Sequence, residues 1–344
     1  MTSPRRAAPS RPPFDVPRLT ESLLDLGFAD VRVVDRTGST NSDLVAAAGE
    51  GAPDLTVLLA EEQVAGRGRL GRTWSAPARS QLIVSVLVRP AVAPDRLGTL
   101  PLVTGVALAE AVRGLGVDAA LKWPNDLMVG DRKLAGVLVE AVQLTPRPAV
   151  VVGFGLNVDL REDELPVPHA TSLVLERARA AGDGAGDAAG DAAAGDAAGD
   201  PAGDTAGDAA VGVDRQAFTV EVLRRFVDCQ RRWRTGDATV DDDYRRLCAT
   251  LGSEVTVTLP GDRTVRGTAL RVTPTGELVV RPAATDSATT HSTAHAATTH
   301  STAPAAEVTV SAGDVTHLRP ATGGPGRWRG RRTRTVACDV SVGT

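Results

Sequence analysis

The chain has 344 residues, of which 42% are hydrophobic, and its net charge is −4. These values exclude a disordered or membrane-embedded protein and are typical of a globular protein long enough for two domains. Seven aspartates and no basic residue lie between 180 and 210, so the rest of the chain carries a net charge of +3. Its three cysteines are far apart in sequence, which argues against a zinc site or a disulfide framework and predicts reduced thiols in a cytoplasmic protein.

The first elements suggest a place for an anion. Residues 1–15 are rich in Arg, Pro and Ser without an apolar run, so we expect a disordered arm rather than a signal peptide. A helix at 17–26 and a strand at 31–35 follow, and then the helix-capping types Ser39, Thr40 and Asn41. A strand that leads into a capped helix presents free backbone N–H groups to an anion.

The next two strands, at 56–62 and 81–88, flank the sequence GRGRLGRTWSAP at 66–77. Its glycine-spaced arginines allow two interpretations. One is a mobile basic loop that closes on a small anion, and the other is an RGG-like patch that grips nucleic acid. A helix at 95–115 comes next and is too polar to span a bilayer.

Closely spaced β segments between 120 and 157 predict an α+β fold with a mixed or mainly antiparallel sheet, and argue against a doubly wound fold. Further helices at 214–234 and 240–250 complete a catalytic domain that we place at 16–250. Within this domain, the Ala/Gly/Asp repeats at 180–210 predict a disordered insert, since glycine and like-charge repulsion oppose a helix.

Short strands and turns predict a small β-barrel at 251–320, interrupted by a low-complexity insert at 283–306. The three histidines of that insert lack co-ligands, so we do not expect a metal site there. Residues 321–344 form a basic tail with five arginines between 323 and 335. It is interpreted either as a solvated tail or as a weak contact to nucleic acid or a membrane surface.

Four segments carry the residues suited to chemistry, and each lies at a strand end or in a turn: STN at 39–41, EEQVAGRGRLGR at 61–72, KWPND and RKLAG within 122–136, and GFGLN at 153–157. Loops at strand ends converge on one mouth. The segments supply capping donors, cations, glycines and the carboxylate of Asp126, a set that suits a carboxylate reacting with a nucleotide phosphate. We interpret Glu61 and Glu62 as strand-end surface charges, and Trp74 and Trp123 as core or hinge anchors more readily than as adenine platforms.

In this order and spacing, the four segments resemble the bacterial biotin protein ligases, clearly over 35–175 and more loosely over 214–320. The resemblance implies a mixed-sheet catalytic domain of the biotin/lipoate ligase type, followed by a small SH3-like β-barrel. It also implies that the carboxylate of biotin attacks the α-phosphate of Mg-ATP, giving biotinyl-5′-AMP, from which a lysine of a carrier domain takes the biotin. Because only about 38 residues precede Ser39, we expect a short form without an N-terminal DNA-binding domain.

The resemblance also implies residue roles. The catalytic residues would be Lys133, Arg69 and Asp126, and Asp126 is also a candidate Mg²⁺ contact. Biotin would be bound by Ser39, Thr40, Asn41, Gln63, Arg67, Gly68, Arg69, Lys133 and Gly136. ATP would be bound by Lys122, Trp123, Asn125, Asp126, Asn157 and Arg319.

Two other functions remain open at this point. A lipoate or octanoate ligase would adenylate an acid on a related fold, and a nucleic-acid-binding module would use the basic runs, although it lacks interleaved aromatic residues. For the ligase we expect the carrier domain of an acyl-CoA carboxylase as partner, no contact with DNA or a membrane, and a homodimer as an open alternative.

Overall fold

A seven-stranded mixed sheet forms the centre of the computed structural model, which describes residues 11–144, 147–188, 212–259, 263–283, 306–311 and 314–317. Its strands are β1 (Asp30–Thr37), β2 (Thr56–Gln63), β3 (Gln81–Val88), β4 (Ala119–Lys122), β5 (Asp126–Val129), β6 (Arg132–Gln143) and β7 (Ala149–Asn157). The order is β1-β2-β3-β7-β6-β5-β4. Only the β1–β2 pair in this sheet is parallel, which confirms the predicted mixed, mainly antiparallel sheet.

Helices cover both faces of this sheet, and because of that β3 and β7 are buried along their whole length. The helices are α1 (Val16–Asp25), α2 (Thr40–Gly49), α3 (Leu100–Gly114), α4 (Leu173–Ala188), α5 (Arg215–Thr235) and α6 (Thr239–Leu247). One face carries α3, whose apolar side chains pack between the sheet and α5. The other face carries α2, where Leu44 packs with Leu58, Leu87 and Val151.

A second, antiparallel sheet follows α6. It contains β8 (Glu254–Thr258), β9 (Thr264–Val272), β10 (Leu278–Pro282), β11 (Val308–Val310) and β12 (Asp314–His317), in the order β11-β10-β9-β8-β12. The strands on either side of the low-complexity insert therefore pair in one sheet, as expected. The buried side chains of this sheet join the main core, and a β-carbon on Gly276 would lie 2.8 Å from the carbonyl oxygen of Gly98. The turn between β9 and β10 therefore packs closely against the backbone that precedes α3.

The predicted N-terminal arm is corrected by the structure. Residues 11–15 are packed against the rest of the chain. Phe14 is buried, and Cζ of Arg215 lies 3.8 Å from the centroid of the Phe14 ring. Arg11 forms ion pairs with Asp159 and Glu164. The composition of this stretch suggested disorder, but the partners of Arg11 are 148 or more positions away and give no local signal. Helix α1 then begins after its N-cap, Asp15.

The predicted insert also begins later than expected, because α4 runs through residue 188. Once a helix is nucleated, each added residue contributes a hydrogen bond, and α4 continues in this way past the glycines of the stretch. The remainder of the 180–210 insert, most of the 283–306 insert, residues 1–10, Arg319 and the basic tail lie outside the described residues. No helix among the described residues is long and apolar enough to cross a membrane.

Candidate functional site

A cavity of about 530 Å³ lies where the four sequence segments meet. Its lining includes thirteen of the predicted site residues: Ser39, Thr40, Asn41, Gln63, Arg67, Gly68, Arg69, Lys122, Asn125, Asp126, Lys133, Gly136 and Asn157. Val315, from β12, also reaches it. The motifs are therefore parts of one site, to which the second sheet contributes.

The polar floor of the cavity is built around the start of α2. Ser39 caps this helix, and its hydroxyl accepts a hydrogen bond from the backbone N–H of Ser42. The backbone N–H and the hydroxyl of Thr40 both donate to Oε1 of Gln63, at 2.8 and 2.9 Å. The hydroxyl of Ser85 lies 2.7 Å from Oγ1 of Thr40 and 2.6 Å from Oδ1 of Asn41. The strand that enters the helix, together with β2 and β3, thus gathers donors and acceptors at one end of the cavity.

Glycine lets Asn41 reach this position. An ideal β-carbon on Gly153 would lie 2.0 Å from Oδ1 of Asn41, which is too close for two non-bonded atoms. The Asn41 amide also donates to Oε2 of Glu140 at 2.7 Å, so the side chain is fixed from several directions. The structure gives a physical reason for the first glycine of GFGLN.

The segment 66–74 forms a hydrogen-bonded loop along the wall of the cavity. Its two sides pair through hydrogen bonds from the Gly68 N–H to the carbonyl of Arg72 and from the Trp74 N–H to the carbonyl of Gly66, at 2.7 and 2.9 Å. The Arg67 guanidinium donates to the Ser42 hydroxyl at 2.7 Å, and that of Arg69 lies 3.4 Å from Oδ1 of Asn125. The arginines therefore face the cavity walls.

Trp74, at the end of this loop, lies inside the cavity. Its indole N–H donates to Oε1 of Gln81 at 3.1 Å, and the amine of Lys133 lies 5.7 Å from the ring centroid. A β-carbon on Gly155 would come within 2.3 Å of the indole nitrogen. The second glycine of GFGLN therefore makes room for an aromatic ring. The glycine spacing in the sequence did not indicate that this ring belongs to Trp74.

Lys133 and Asp126 form the charged centre of the cavity, with 2.5 Å between Nζ and Oδ1. They come from the adjacent antiparallel strands β6 and β5, which bring the two motifs together. A β-carbon on Gly136 would lie 3.4 Å from the Lys133 amine, at the distance of an ordinary van der Waals contact. The backbone of Lys133 is held on both sides, by hydrogen bonds to the carbonyl of His169 and from the N–H of Thr171.

Comparisons with known proteins agree with this geometry. Residues 33–157 match the model of the biotin/lipoate A/B protein ligase family. The biotin–[acetyl-CoA-carboxylase] ligase of Mycobacterium tuberculosis is 36% identical, over 90% of this chain and 97% of that protein. The bifunctional ligase/repressor BirA of Escherichia coli is 38% identical, over 48% of this chain and 52% of its own length.

The chain belongs to the biotin protein ligase family. The fold agrees: the biotin protein ligase from Aquifex aeolicus, solved in complex with biotin and ATP, superposes with a TM-score of 0.57. That likeness covers 85% of this chain and all of the other, at 22% identity, and it shows the shared fold.

Two residues predicted to contact ATP, Trp123 and Asn157, are engaged in hydrogen bonds within the protein. Trp123, just after β4, is 1% exposed and does not line the cavity; its indole N–H donates to the carbonyl of Gly276, in the turn between β9 and β10. Asn157 borders the cavity but is buried, and its amide is used by Gln81 and by the carbonyl of Thr171. Both side chains therefore stabilise the structure around the cavity through these hydrogen bonds.

The interpretation of Glu61 as a surface charge was wrong. Its side chain is buried, and its two carboxylate oxygens accept from the backbone N–H of Phe14 at 2.6 Å and from the guanidinium of Arg215 at 2.5 Å. Burial lowers the pKa of the Arg215 guanidinium, and the Glu61 carboxylate opposes that change. Strand-end position predicted exposure, but the N-terminal segment and α5 cover this end of β2.

Sequence reasoning also missed cavity residues outside the motifs. Gln81 and Ser85 lie on β3, whose sequence as a whole predicts a buried apolar strand. His169 lies in the loop after β7. Polar residues inside a continuous apolar run were the available signal, since buried polar groups need partners.

Proposed function

We propose that this protein attaches biotin to a lysine of a biotin carboxyl carrier domain, using ATP and passing through biotinyl-5′-AMP. The observation that carries the proposal is that one cavity joins a polar floor, a cationic loop and the Lys133–Asp126 pair. Membership in the biotin protein ligase family supports the choice of reaction. The name of the M. tuberculosis relative points to an acetyl-CoA carboxylase as the source of the carrier.

Biotin occupies the end of the cavity that Thr40, Asn41 and Gln63 form. The ureido ring of biotin has two N–H donors and one carbonyl acceptor, and the floor offers hydroxyl and amide groups of both kinds. Trp74 supplies an apolar surface for the ring and the aliphatic chain. A cavity of about 530 Å³ is within the usual range for small-molecule sites.

The reaction takes place beside Lys133. A carboxylate oxygen of biotin forms a bond to the α-phosphorus of ATP, and the bond from that phosphorus to the pyrophosphate oxygen breaks. Two anionic groups approach each other in this step, so fixed cations that neutralise the developing charge lower the barrier. Lys133 and Arg69 take this role, with Arg67 and Gly68 in the same loop. Lys122 and Asn125 lie on the nucleotide side.

Asp126 fits a contact to Mg²⁺ that arrives with ATP. The described residues hold no cluster of three His, Cys, Asp or Glu side chains for a metal. Magnesium often binds through one or two carboxylates together with substrate phosphates, and Asp126 faces the cavity. The bound ion would neutralise phosphate charge.

The mixed anhydride must be protected from water until the carrier lysine attacks its carbonyl and AMP leaves. The loop 66–74 covers the site for this purpose. The second sheet, which we propose to be a small SH3-like barrel, adds Val315 to the cavity wall. Arg319, two residues beyond the last described strand, is proposed as a nucleotide contact.

The test is to mix the protein with Mg-ATP and an apo carrier domain, add either biotin or lipoate, and measure the mass of the carrier. We expect a gain equal to one biotinyl group, release of AMP, and no gain with lipoate. Lipoate addition in place of biotin addition would refute the proposed specificity. The matched control, a carrier whose acceptor lysine is replaced by arginine, should accumulate biotinyl-5′-AMP on the enzyme and no modified carrier.

A further inference from the structure

We propose that Arg11 is a positioning residue for the adenylation step, acting through the segment 158–171 on Lys133. This inference rests on the proposed function. Arg11 lies outside the four motifs, and its side chain is only 13% exposed although the surrounding sequence is rich in Pro and Arg. Such burial of a long cationic side chain needs compensating partners.

Those partners all lie on one segment. The Arg11 guanidinium pairs with Oδ2 of Asp159 at 3.1 Å and with Oε2 of Glu164 at 2.5 Å, and it also donates to the backbone carbonyl of Asp159. Glu164 is itself only 12% exposed. Burial raises the pKa of its carboxyl, but hydrogen bonds from Arg11 and from the Arg161 backbone, with their charges, lower it below its ordinary value overall. Charge-assisted hydrogen bonds in such a shielded place are stronger than exposed ion pairs.

The segment 158–171 runs from the end of β7 to α4 with little regular structure. It is fixed at its start by the Val158 and Asp159 N–H groups, which donate to the carbonyl of Ser80. Its last residues hold Lys133: the Lys133 N–H donates to the carbonyl of His169 at 2.7 Å, and the Thr171 N–H donates to the carbonyl of Lys133 at 3.0 Å. Arg11 fixes the middle, between these two attachments.

The same segment forms a wall of the cavity through Pro166, Val167, His169 and Ala170. A second contact in its middle, between Glu162 and Arg179, is weak because Glu162 is 76% exposed. The Ser172 hydroxyl donates to the carbonyl of Leu160 at 2.7 Å, but without Arg11 the stretch 161–168 would gain freedom, and the Lys133 backbone would lose a rigid neighbour. The amine would then sample positions away from the reacting atoms.

Arg11 is in turn held by the rest of the N-terminal segment. The Arg215 guanidinium donates to the carbonyl of Pro12 at 3.1 Å and to Glu61, which also accepts from the Phe14 N–H. Glu61 lies at the end of β2, before the loop 66–74. Residues 11–15 therefore connect the base of the closing loop with the wall that carries Lys133.

The experiment compares Arg11→Ala with the parent protein in biotin-dependent pyrophosphate release from ATP. Because the Lys133 charge acts in the transition state, we expect kcat to fall by about tenfold, since small misplacements of reacting groups are costly. The KM for biotin should change less than about threefold, because the polar floor does not touch this segment. Amide hydrogen exchange over 160–171 should become faster in the variant.

Arg234→Ala is the matched control for loss of stability. Arg234 makes a partly buried, bidentate pair with Asp54, and neither residue lines the cavity. This variant should lower Tm comparably but keep the parent kcat. Glu164→Gln should reduce kcat in the same direction as Arg11→Ala, and the double variant should be no slower than Arg11→Ala alone, because both act through one contact.

The inference is overturned if Arg11→Ala retains the parent kcat, if exchange over 160–171 is unchanged, or if Arg234→Ala loses as much activity for an equal loss of Tm. If the parent protein releases no pyrophosphate with biotin, the proposed function itself is contradicted. This outcome differs from a failure of the Arg11 inference alone, in which the parent protein is active.

Discussion

Replacing Gly153 by alanine should disrupt the polar floor of the cavity through one side chain, Asn41. The added β-carbon would lie 2.0 Å from Oδ1 and 2.8 Å from Cγ of Asn41. Because ordinary contacts begin at about 3.4 Å, Asn41 must move by more than about 1 Å. It then loses its short contacts with Ser85 and Glu140, at 2.6 and 2.7 Å.

Each lost hydrogen bond in this buried position costs about 1 kcal/mol, and the bond to the Glu140 carboxylate costs more, so we expect a loss of roughly 2–4 kcal/mol in stability. If Asn41 contacts biotin as proposed, the Kd for biotin should rise by about 30-fold, equivalent to about 2 kcal/mol. Isothermal titration calorimetry with biotin and denaturant unfolding measure the two effects.

The control is Gly38→Ala, immediately before Ser39 in sequence, where an added β-carbon meets nothing within 4 Å. It should bind biotin like the parent. If Gly153→Ala also binds biotin like the parent and unfolds at the same denaturant concentration, the account of how Asn41 is fixed is wrong.

Three further predictions concern charged and titrating groups. Lys133→Gln should slow biotinyl-5′-AMP formation by about 10²–10³-fold while the fold remains intact, as followed by pyrophosphate release and circular dichroism; an unimpaired rate would remove Lys133 from the mechanism. Glu61→Gln should cost about 3–5 kcal/mol of stability because it leaves the buried Arg215 without its counter-charge, and an unchanged unfolding midpoint would contradict this. Burial raises the pKa of the Cys229 thiol to about 12, so this thiol should resist alkylation at pH 8 until the protein unfolds. Its contribution to stability is complete below the ordinary thiol pKa of 9.0 and is lost as the pH rises toward 12, which denaturant titrations at pH 8 and 10.5 would detect.

Local sequence was sufficient for the elements and for most of the site. Alternating and continuous apolar runs located the strands, and the capping residues placed the start of α2 at Ser39–Thr40. The motifs at strand ends were expected to converge, and thirteen of their residues line one cavity. This worked because periodicity and capping are properties of neighbouring residues, and because the connections at one end of a sheet tend to lie near each other.

Burial by residues distant in sequence depends on the three-dimensional fold. Glu61 looked like a surface charge until Phe14 and Arg215 covered it, and Arg11 looked disordered until Asp159 and Glu164 paired with it. Trp123 belongs to a motif, but its indole faces the second sheet. Such contacts join residues more than 40 positions apart, so no local pattern encodes them; they exist because folding brings their partners within hydrogen-bond distance.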